Sequence, residues 1–170
     1  MIILGIDPGT LIIGYGIIQS EKSNLKIITC GAIKTSVKNS TSQIKNFKLI
    51  SDVSNLASRL LISYQELFKI IKQHKPDEIA IETVFYSQDV QATIKIGEAR
   101  GIALLVAAIT KTPVYEYSPA EVKKSVTGNG RADKSQVAEM VKHLLSLDTI
   151  PKPYDISDAL AIAICHTHRM

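Results

Sequence analysis

Four acidic residues stand at the ends of predicted elements, where their carboxylates can meet at one edge of a fold. Asp7 and Glu82 each follow a short apolar run, and Asp155 and Asp158 are predicted to lie in the first turn of the last helix. Residues three apart share one helix face. An acidic side chain at the end of a buried strand costs free energy unless another group pairs with it. The four positions together therefore indicate a shared site.

Carboxylate oxygens are the hard ligands that Mg²⁺ and Mn²⁺ prefer, whereas zinc and copper favour nitrogen and sulfur. Two such ions side by side can hold a phosphodiester: one activates a water for in-line attack, and the other stabilises the leaving oxygen. Each acid also has an ordinary structural explanation, because acids cap turns, favour a first helical turn or meet solvent at strand ends. Only convergence of all four in space separates the two interpretations.

Basic and aromatic residues near these acids point to a polyanionic partner. Lys123 and Lys134 flank a glycine-containing loop at 127–131, where ammonium and backbone N–H groups can meet phosphates. The alternative for each lysine is a solvated helix face. Phe85 follows three residues after Glu82, and an aromatic ring beside an active-site carboxylate can stack on an unpaired base. The alternative for Phe85 is ordinary core packing.

Three predicted strands open the chain, before any helix. They cover Ile2–Ile6, Ile12–Gln19 and Leu25–Thr35, and the short link between the first two predicts an antiparallel hairpin. Gly14 and Gly16 in the second strand leave room for close approach of a backbone or a ligand.

Helices and short strands alternate after a polar surface loop at Ser36–Asn46. In chain order, periodicity predicts a long amphipathic helix from Leu49 to Ile71, a strand at Asp77–Glu82, a helix at Gln91–Ile109 and a strand at Val114–Tyr117. Capping signals then predict a short helix capped by Ser118 that runs through Val126 and a helix capped by Asp133 that runs through Leu145. A last helix is predicted from Tyr154 to about His166. The order βββαβαβ followed by helices predicts an α/β protein, with a mixed five-stranded sheet and helices on both faces.

Length and composition limit the class of protein. With 170 residues, 45% of them hydrophobic, the chain is expected to fold as one domain, residues 1–170. A net charge of +4 permits a polyanionic partner without demanding one. Two distant cysteines make no disulfide framework, and neither a signal peptide nor a bilayer-spanning run is recognised, which indicates a cytoplasmic location. His143, His166 and His168 are expected to be surface or cap residues.

Five short motifs follow one another along nearly the whole chain. They lie at Ile3–Thr10 with Gly14-Tyr15-Gly16, at Ile81–Phe85, at Gly97–Gly101, at Val122–Gly128 with Asp133–Val137, and at Asp155–Ala163. Together they resemble the RuvC family of bacterial Holliday junction resolvases, the crossover junction endodeoxyribonucleases. Gly-x-Asp-Pro-Gly alone is a weak signal, but five motifs in order are a strong one. The chain departs from the family pattern at 36–51, where it carries extra polar residues.

This resemblance implies a ribonuclease H-like fold, a symmetric homodimer and Mg²⁺-dependent paired nicking of two like-polarity strands at a four-way DNA junction, in recombination and repair. It implies that Phe85 stacks at the opened crossover, and that Lys123 and Lys134 contact or neutralise the scissile phosphate. The family works beside the branch-migration proteins RuvA and RuvB. Two ions per subunit are expected, with Mn²⁺ able to substitute. The metal ligands implied are Asp7, Glu82, Asp155 and Asp158.

Other classes of protein share parts of this pattern. The segment Asp7–Thr10 also resembles the first phosphate loop of actin-like ATPases and sugar kinases. Those proteins clamp ATP between two such domains and need a second Gly-rich phosphate loop, which we do not find in the sequence. A related ribonuclease H-like nuclease acting on another nucleic acid is a further alternative. A non-catalytic DNA-binding module would not need four converging acids, which repel phosphates unless metals intervene.

Overall fold

The computed structural model describes residues 1–21, 24–35, 55–83 and 90–169. Their elements follow the predicted order of three strands, alternating helices and strands, and then helices. The predicted loop at Ser36–Asn46, the predicted helix start at Leu49 and Phe85 lie outside the described residues. The elements are β1 (Ile2–Asp7), β2 (Ile12–Glu21), β3 (Asn24–Lys34), α1 (Asn55–His74), β4 (Glu78–Glu82), α2 (Val90–Thr110), β5 (Val114–Tyr117), α3 (Pro119–Thr127), α4 (Lys134–Leu144) and α5 (Tyr154–Thr167).

The strands form one mixed sheet in the order β3-β2-β1-β4-β5. β1 pairs antiparallel with β2, as the short link predicts, and parallel with β4. Ile6 lies opposite Ile81 in the parallel pair, so the next residues, Asp7 and Glu82, end neighbouring strands at the same edge of the sheet. β5 extends the sheet parallel to β4. The sheet topology therefore places the first two acids side by side.

Helices cover both faces of the sheet, as predicted. Alternate side chains of β1 point to opposite faces. Leu4 and Ile6 belong to the apolar cluster that includes α1 and α2, whereas Ile3 belongs to the cluster that includes α3, α4 and α5. Burial of each such side chain contributes roughly 1.5–3 kcal/mol. In the described residues we find no helix that could span a bilayer.

Glycines on β1 and β2 let α5 lie directly against the sheet. Gly5 is paired with Gly16, and a Cβ atom added to Gly5 would lie 2.1 Å from the carbonyl oxygen of Ala159 on α5. A Cβ atom added to Gly14 would lie 1.9 Å from the carbonyl oxygen of Asp155. The close approach expected at Gly14 and Gly16 is thus made by the last helix, whose depth these glycines set.

Two predictions for this last helix are wrong in detail. Because α5 begins at Tyr154, its first turn contains Asp155, whereas Asp158 lies in the second turn. The helix dipole acts mainly on the first turn, so it offers a weaker explanation for Asp158. His166, expected at the surface or as a cap, is only 3% exposed. It is buried because its ring bonds to side chains of β4 and β5.

Candidate active site

Three acids from distant parts of the sequence line one cavity at the carboxyl edge of the sheet. Asp7 and Glu82 end β1 and β4, and α5 places Asp158 beside them in a cavity of about 210 Å³. Lys123 from α3 and Lys134 from α4 complete its polar lining. The structure therefore brings together five of the residues that the sequence analysis singled out.

The other two predicted site residues differ from these five. Asp155 does not line the cavity, although its charge contributes, after burial and the charges of Asp158 and Glu82, to the raised pKa of Asp7. Its backbone rests on Gly14. Phe85 lies outside the described residues, so its role stays a prediction from the sequence.

Burial and crowding of negative charge shift the acids toward their protonated forms. Burial raises the pKa of Asp7 to about 7, and the charges of Asp158, Glu82 and Asp155 act in the same direction. Burial likewise raises the pKa of Glu82 to about 7; Asp158 adds to this shift, and the two lysines of the cavity oppose it. Carboxyl groups with strongly raised pKa values in one cavity are typical of functional sites.

Lys134 forms an ion pair with Asp158. Its Nζ donates a hydrogen bond of 3.1 Å to Oδ2 of Asp158. Burial lowers the pKa of Lys134, but attraction by Asp158, helped by Asp7 and Asp155, raises it overall, so the ammonium keeps its charge. The pair places one positive charge at the mouth of the acidic cavity.

Capping boxes determine where the two lysine-bearing helices begin. Asp133 accepts a hydrogen bond from the backbone N–H of Gln136, which makes Lys134 the first residue of α4. Ser118 accepts in the same way from the backbone N–H of Glu121, which makes Pro119 the first residue of α3 and places Lys123 in its second turn. Both caps were predicted from the sequence, and both are confirmed. The two caps therefore fix where the helices that bring Lys123 and Lys134 to the cavity begin.

An apolar wall of the cavity was not anticipated from the sequence. Three wall residues stand three or four positions from a polar cavity residue on the same helix, and the fourth, Val122, stands three positions from Pro119; this spacing places side chains on one helix face. This spacing was the signal in the sequence from which the apolar wall residues could have been predicted. The wall residues are Pro119, Val122, Val137 and Ala161.

The donor chemistry of the cavity fits a hard divalent cation. Within the part of the chain that the structure describes, no three His, Cys, Asp or Glu side chains are already arranged to hold an ion. Asp7, Glu82 and Asp158 nevertheless offer only oxygen donors to the cavity, which suits Mg²⁺ or Mn²⁺. When ionised, these carboxylates repel one another. A divalent cation in the cavity attracts each of them and so offsets that repulsion.

Comparison with known proteins decides the family. The sequence profile described as "Crossover junction endodeoxyribonuclease RuvC" matches residues 3–53 and 47–166. The chain belongs to the RuvC family. A member from Alkaliphilus metalliredigens is 45% identical over 168 residues, which cover 99% of this chain and 93% of that relative. A member from Clostridioides difficile is 44% identical, with coverage of 99% and 90%.

Solved structures show that the fold is also that of the family. T. thermophilus RuvC in complex with a Holliday junction substrate matches 98% of this chain and 93% of its own, with a TM-score of 0.83 and 28% identity. The yeast mitochondrial Holliday junction resolvase Ydc2 shares the fold, with a TM-score of 0.67, 17% identity, and coverage of 96% and 77%. The RuvC family member described here therefore has the predicted ribonuclease H-like fold and is a metal-dependent crossover junction endodeoxyribonuclease.

Proposed function

We propose that this RuvC family member resolves four-way DNA junctions by paired nicks in two strands of like polarity, with Mg²⁺ bound by Asp7, Glu82, Asp155 and Asp158. The observation that supports this most is the single cavity to which β1, β4 and α5 each contribute a carboxylate. The substrate class follows from the family, whose T. thermophilus member was solved with a Holliday junction.

The side chains of the cavity have separable roles in this reaction. When bound, Mg²⁺ supplies an activated water and stabilises the leaving oxygen, and we propose two ions per subunit, with Mn²⁺ as a substitute. Asp7 and Glu82 release their protons as the cation enters, because nearby positive charge lowers a carboxyl pKa. Lys123 and Lys134 provide positive charge for the scissile phosphate.

We propose that the protein acts as a homodimer that associates through α2. Four apolar residues on one stripe of this helix are between 48% and 58% exposed: Val90, Ile94, Leu105 and Ile109. Gly97 and Gly101 lie on the same stripe, and a Cβ atom added to either would meet nothing within 4 Å. A second copy of the helix can therefore approach closely and cover the apolar residues. Two cavities in one dimer suit a reaction that cuts two strands.

Cellular context completes the proposal. We propose that the protein works in the cytoplasm, where bacterial chromosomal DNA lies. The resemblance to the family further supports action beside RuvA and RuvB, since branch migration delivers junctions to a resolvase.

A nicking assay tests the nuclease proposal. A mobile four-way junction and a linear duplex with the same arms are incubated with Mg²⁺ or with EDTA. We expect symmetric, ligatable nicks in the junction with Mg²⁺, and neither nicks with EDTA nor comparable cutting of the duplex. Equal cleavage of the duplex would contradict junction resolution and favour a nuclease with another substrate.

Substitution of the acids assigns their roles. Asp7→Asn, Glu82→Gln, Asp155→Asn and Asp158→Asn should each slow cleavage at least about 100-fold, since even indirect partners of a metal typically cost 10–100-fold. Junction affinity should change little, because lysines and shape serve binding. Asp148→Asn, at an exposed acid on the link before α5, is the matched control. A variant with normal cleavage removes that acid from the site.

Sedimentation tests the dimer. Ile94→Asp should give monomers, because a charge cannot be buried unpaired between two helices. Ile28→Asp makes the same change at an isoleucine 41% exposed on β3, away from α2, and should leave the dimer intact. A dimer that survives Ile94→Asp would place the interface elsewhere.

A further inference from the structure

Glu78, Tyr117 and His166 form a hydrogen-bonded cluster at the end of α5 that lies away from the cavity. Nε2 of His166 lies 2.5 Å from a carboxylate oxygen of Glu78, and Nδ1 lies 2.5 Å from the hydroxyl of Tyr117. Because a carboxylate only accepts, Nε2 carries a proton and donates to Glu78, whereas Nδ1 pairs with the hydroxyl of Tyr117. Both ring nitrogens are thus paired.

Two of the three members of the cluster are shielded from solvent. His166 is 3% exposed and Tyr117 is 2% exposed. The ring of Tyr115 covers His166, with the ring centroids 4.7 Å apart, and its hydroxyl donates to Glu78 at 3.3 Å. Burial also raises the pKa of Tyr117, so its hydroxyl keeps its proton. A buried network with every partner in place specifies one arrangement, because any slip leaves polar groups unpaired.

The distances along β4 and α5 connect this cluster to the cavity. Glu78 and Glu82 are the two ends of β4, roughly 13 Å apart at 3.3 Å per residue. His166 and Asp158 are eight residues apart on α5, roughly 12 Å at 1.5 Å per residue. The two spans are nearly equal, and the helix runs opposite to the strand. When His166 meets Glu78 at one end, Asp158 therefore faces Glu82 at the other.

We propose that the Glu78–His166 pair is a positioning clamp that sets how far α5 slides along β4, and thereby how Asp158 stands relative to Glu82. Gly5 and Gly14 set the depth of α5 but present no side chain that resists sliding. Tyr117 ties the clamp to the cavity, because its carbonyl accepts a hydrogen bond of 2.8 Å from the N–H of Thr83, next to Glu82. The clamp rests on the proposed metal-binding role of the acids.

The decisive variant is His166→Leu, which keeps the bulk of the ring but removes both hydrogen bonds. We expect single-turnover cleavage to fall at least about tenfold and the Mg²⁺ concentration for half-maximal cleavage to rise several-fold, since misplaced carboxylates bind metal less well. Junction affinity should stay within about twofold. The rise in melting temperature caused by Mg²⁺, which needs no activity, should shrink. His166→Gln, which retains a donor toward Glu78, should restore part of each loss.

Cys165→Ala controls for stability alone, because Cys165 is the buried neighbour of His166 on the same helix and belongs to neither site. It should lower the melting temperature and leave the Mg²⁺ requirement unchanged. A wild-type Mg²⁺ requirement in folded His166→Leu, or an equal change in Cys165→Ala, would overturn the clamp. If His166→Leu does not fold, Glu78→Leu, which removes the acceptor from the other side of the clamp, decides by the same criteria. A wild-type protein that neither cleaves junctions nor responds to Mg²⁺ would instead refute the proposed function.

Discussion

Gly14 and Asp155 are in such close contact that a Cβ atom on Gly14 would lie 1.9 Å from the carbonyl oxygen of Asp155. Gly14 is also the β2 partner of Asp7. One residue without a side chain therefore neighbours the first acid and seats the backbone of another. The position of α5 over the active-site edge therefore depends on the absence of a Cβ atom at Gly14.

Gly14→Ala should disable cleavage while leaving junction binding nearly intact. The added methyl group must push the start of α5 away from the sheet, and a displacement of about 1 Å at a reacting centre can cost about 100-fold in rate. Cleavage and junction affinity are compared with those of Tyr15→Phe, the next residue of β2, whose side chain packs on the opposite face. Wild-type cleavage by Gly14→Ala would show that the backbone yields without moving the acids.

Stability should depend on pH and Mg²⁺ in a specific direction. Folded Asp7 and Glu82 have pKa values raised to about 7, while such groups in an unfolded chain titrate near 4. Between about pH 4 and 7 the folded state binds more protons, so its stability falls as the pH rises through this window. The full penalty applies above pH 7, and it is absent below pH 4 because both states are protonated.

A bound cation should offset this penalty where the acids are deprotonated. We therefore expect Mg²⁺ to raise the melting temperature more at pH 8 than at pH 6, measured by thermal denaturation against EDTA. Asp7→Asn should reduce the difference between the two pH values. An Mg²⁺ effect that is the same at both would separate metal binding from these carboxyl groups.

Lys134→Ala should slow cleavage and reduce the salt dependence of junction binding. If the ammonium contacts one phosphate, its loss lowers the slope of log affinity against log salt concentration by about one unit. Lys69→Ala, at an exposed lysine on α1 across the sheet, is the control and should leave rate and slope unchanged. An unchanged rate and slope in Lys134→Ala would return Lys134 to the role of a solvated surface residue that pairs with Asp158.

Phe85→Ala should fold normally but cleave junctions about 5- to 150-fold more slowly. Opening the crossover unstacks bases at a cost of a few kcal/mol, and stacking on an aromatic ring returns about 1–3 kcal/mol per base. Phe85→Trp, which keeps a stacking surface, should retain most of the rate. A core phenylalanine would instead lose roughly 3–5 kcal/mol of stability on truncation. A large drop in melting temperature would therefore support core packing.

The sequence by itself determined the features that depend on near neighbours. Alternation and short apolar runs located the strands that end at Asp7 and Glu82, and the capping residues Ser118 and Asp133 marked the starts of α3 and α4. These signals are readable because strand alternation and helix capping involve residues only a few positions apart. The ordered motifs also identified the family, although periodicity alone would have stopped at an α/β class.

Only the tertiary structure decided which distant groups meet. The parallel pairing of β1 with β4 and the burial of His166 against Glu78 each join residues far apart in the chain, and the position of α5 leaves Asp155 outside the cavity lining. A single sequence carries no local signal for such contacts, because a histidine near a helix end looks the same whether it faces water or a buried carboxylate. Close packing brings these distant groups together, since the glycines of β1 and β2 let α5 lie directly against the sheet.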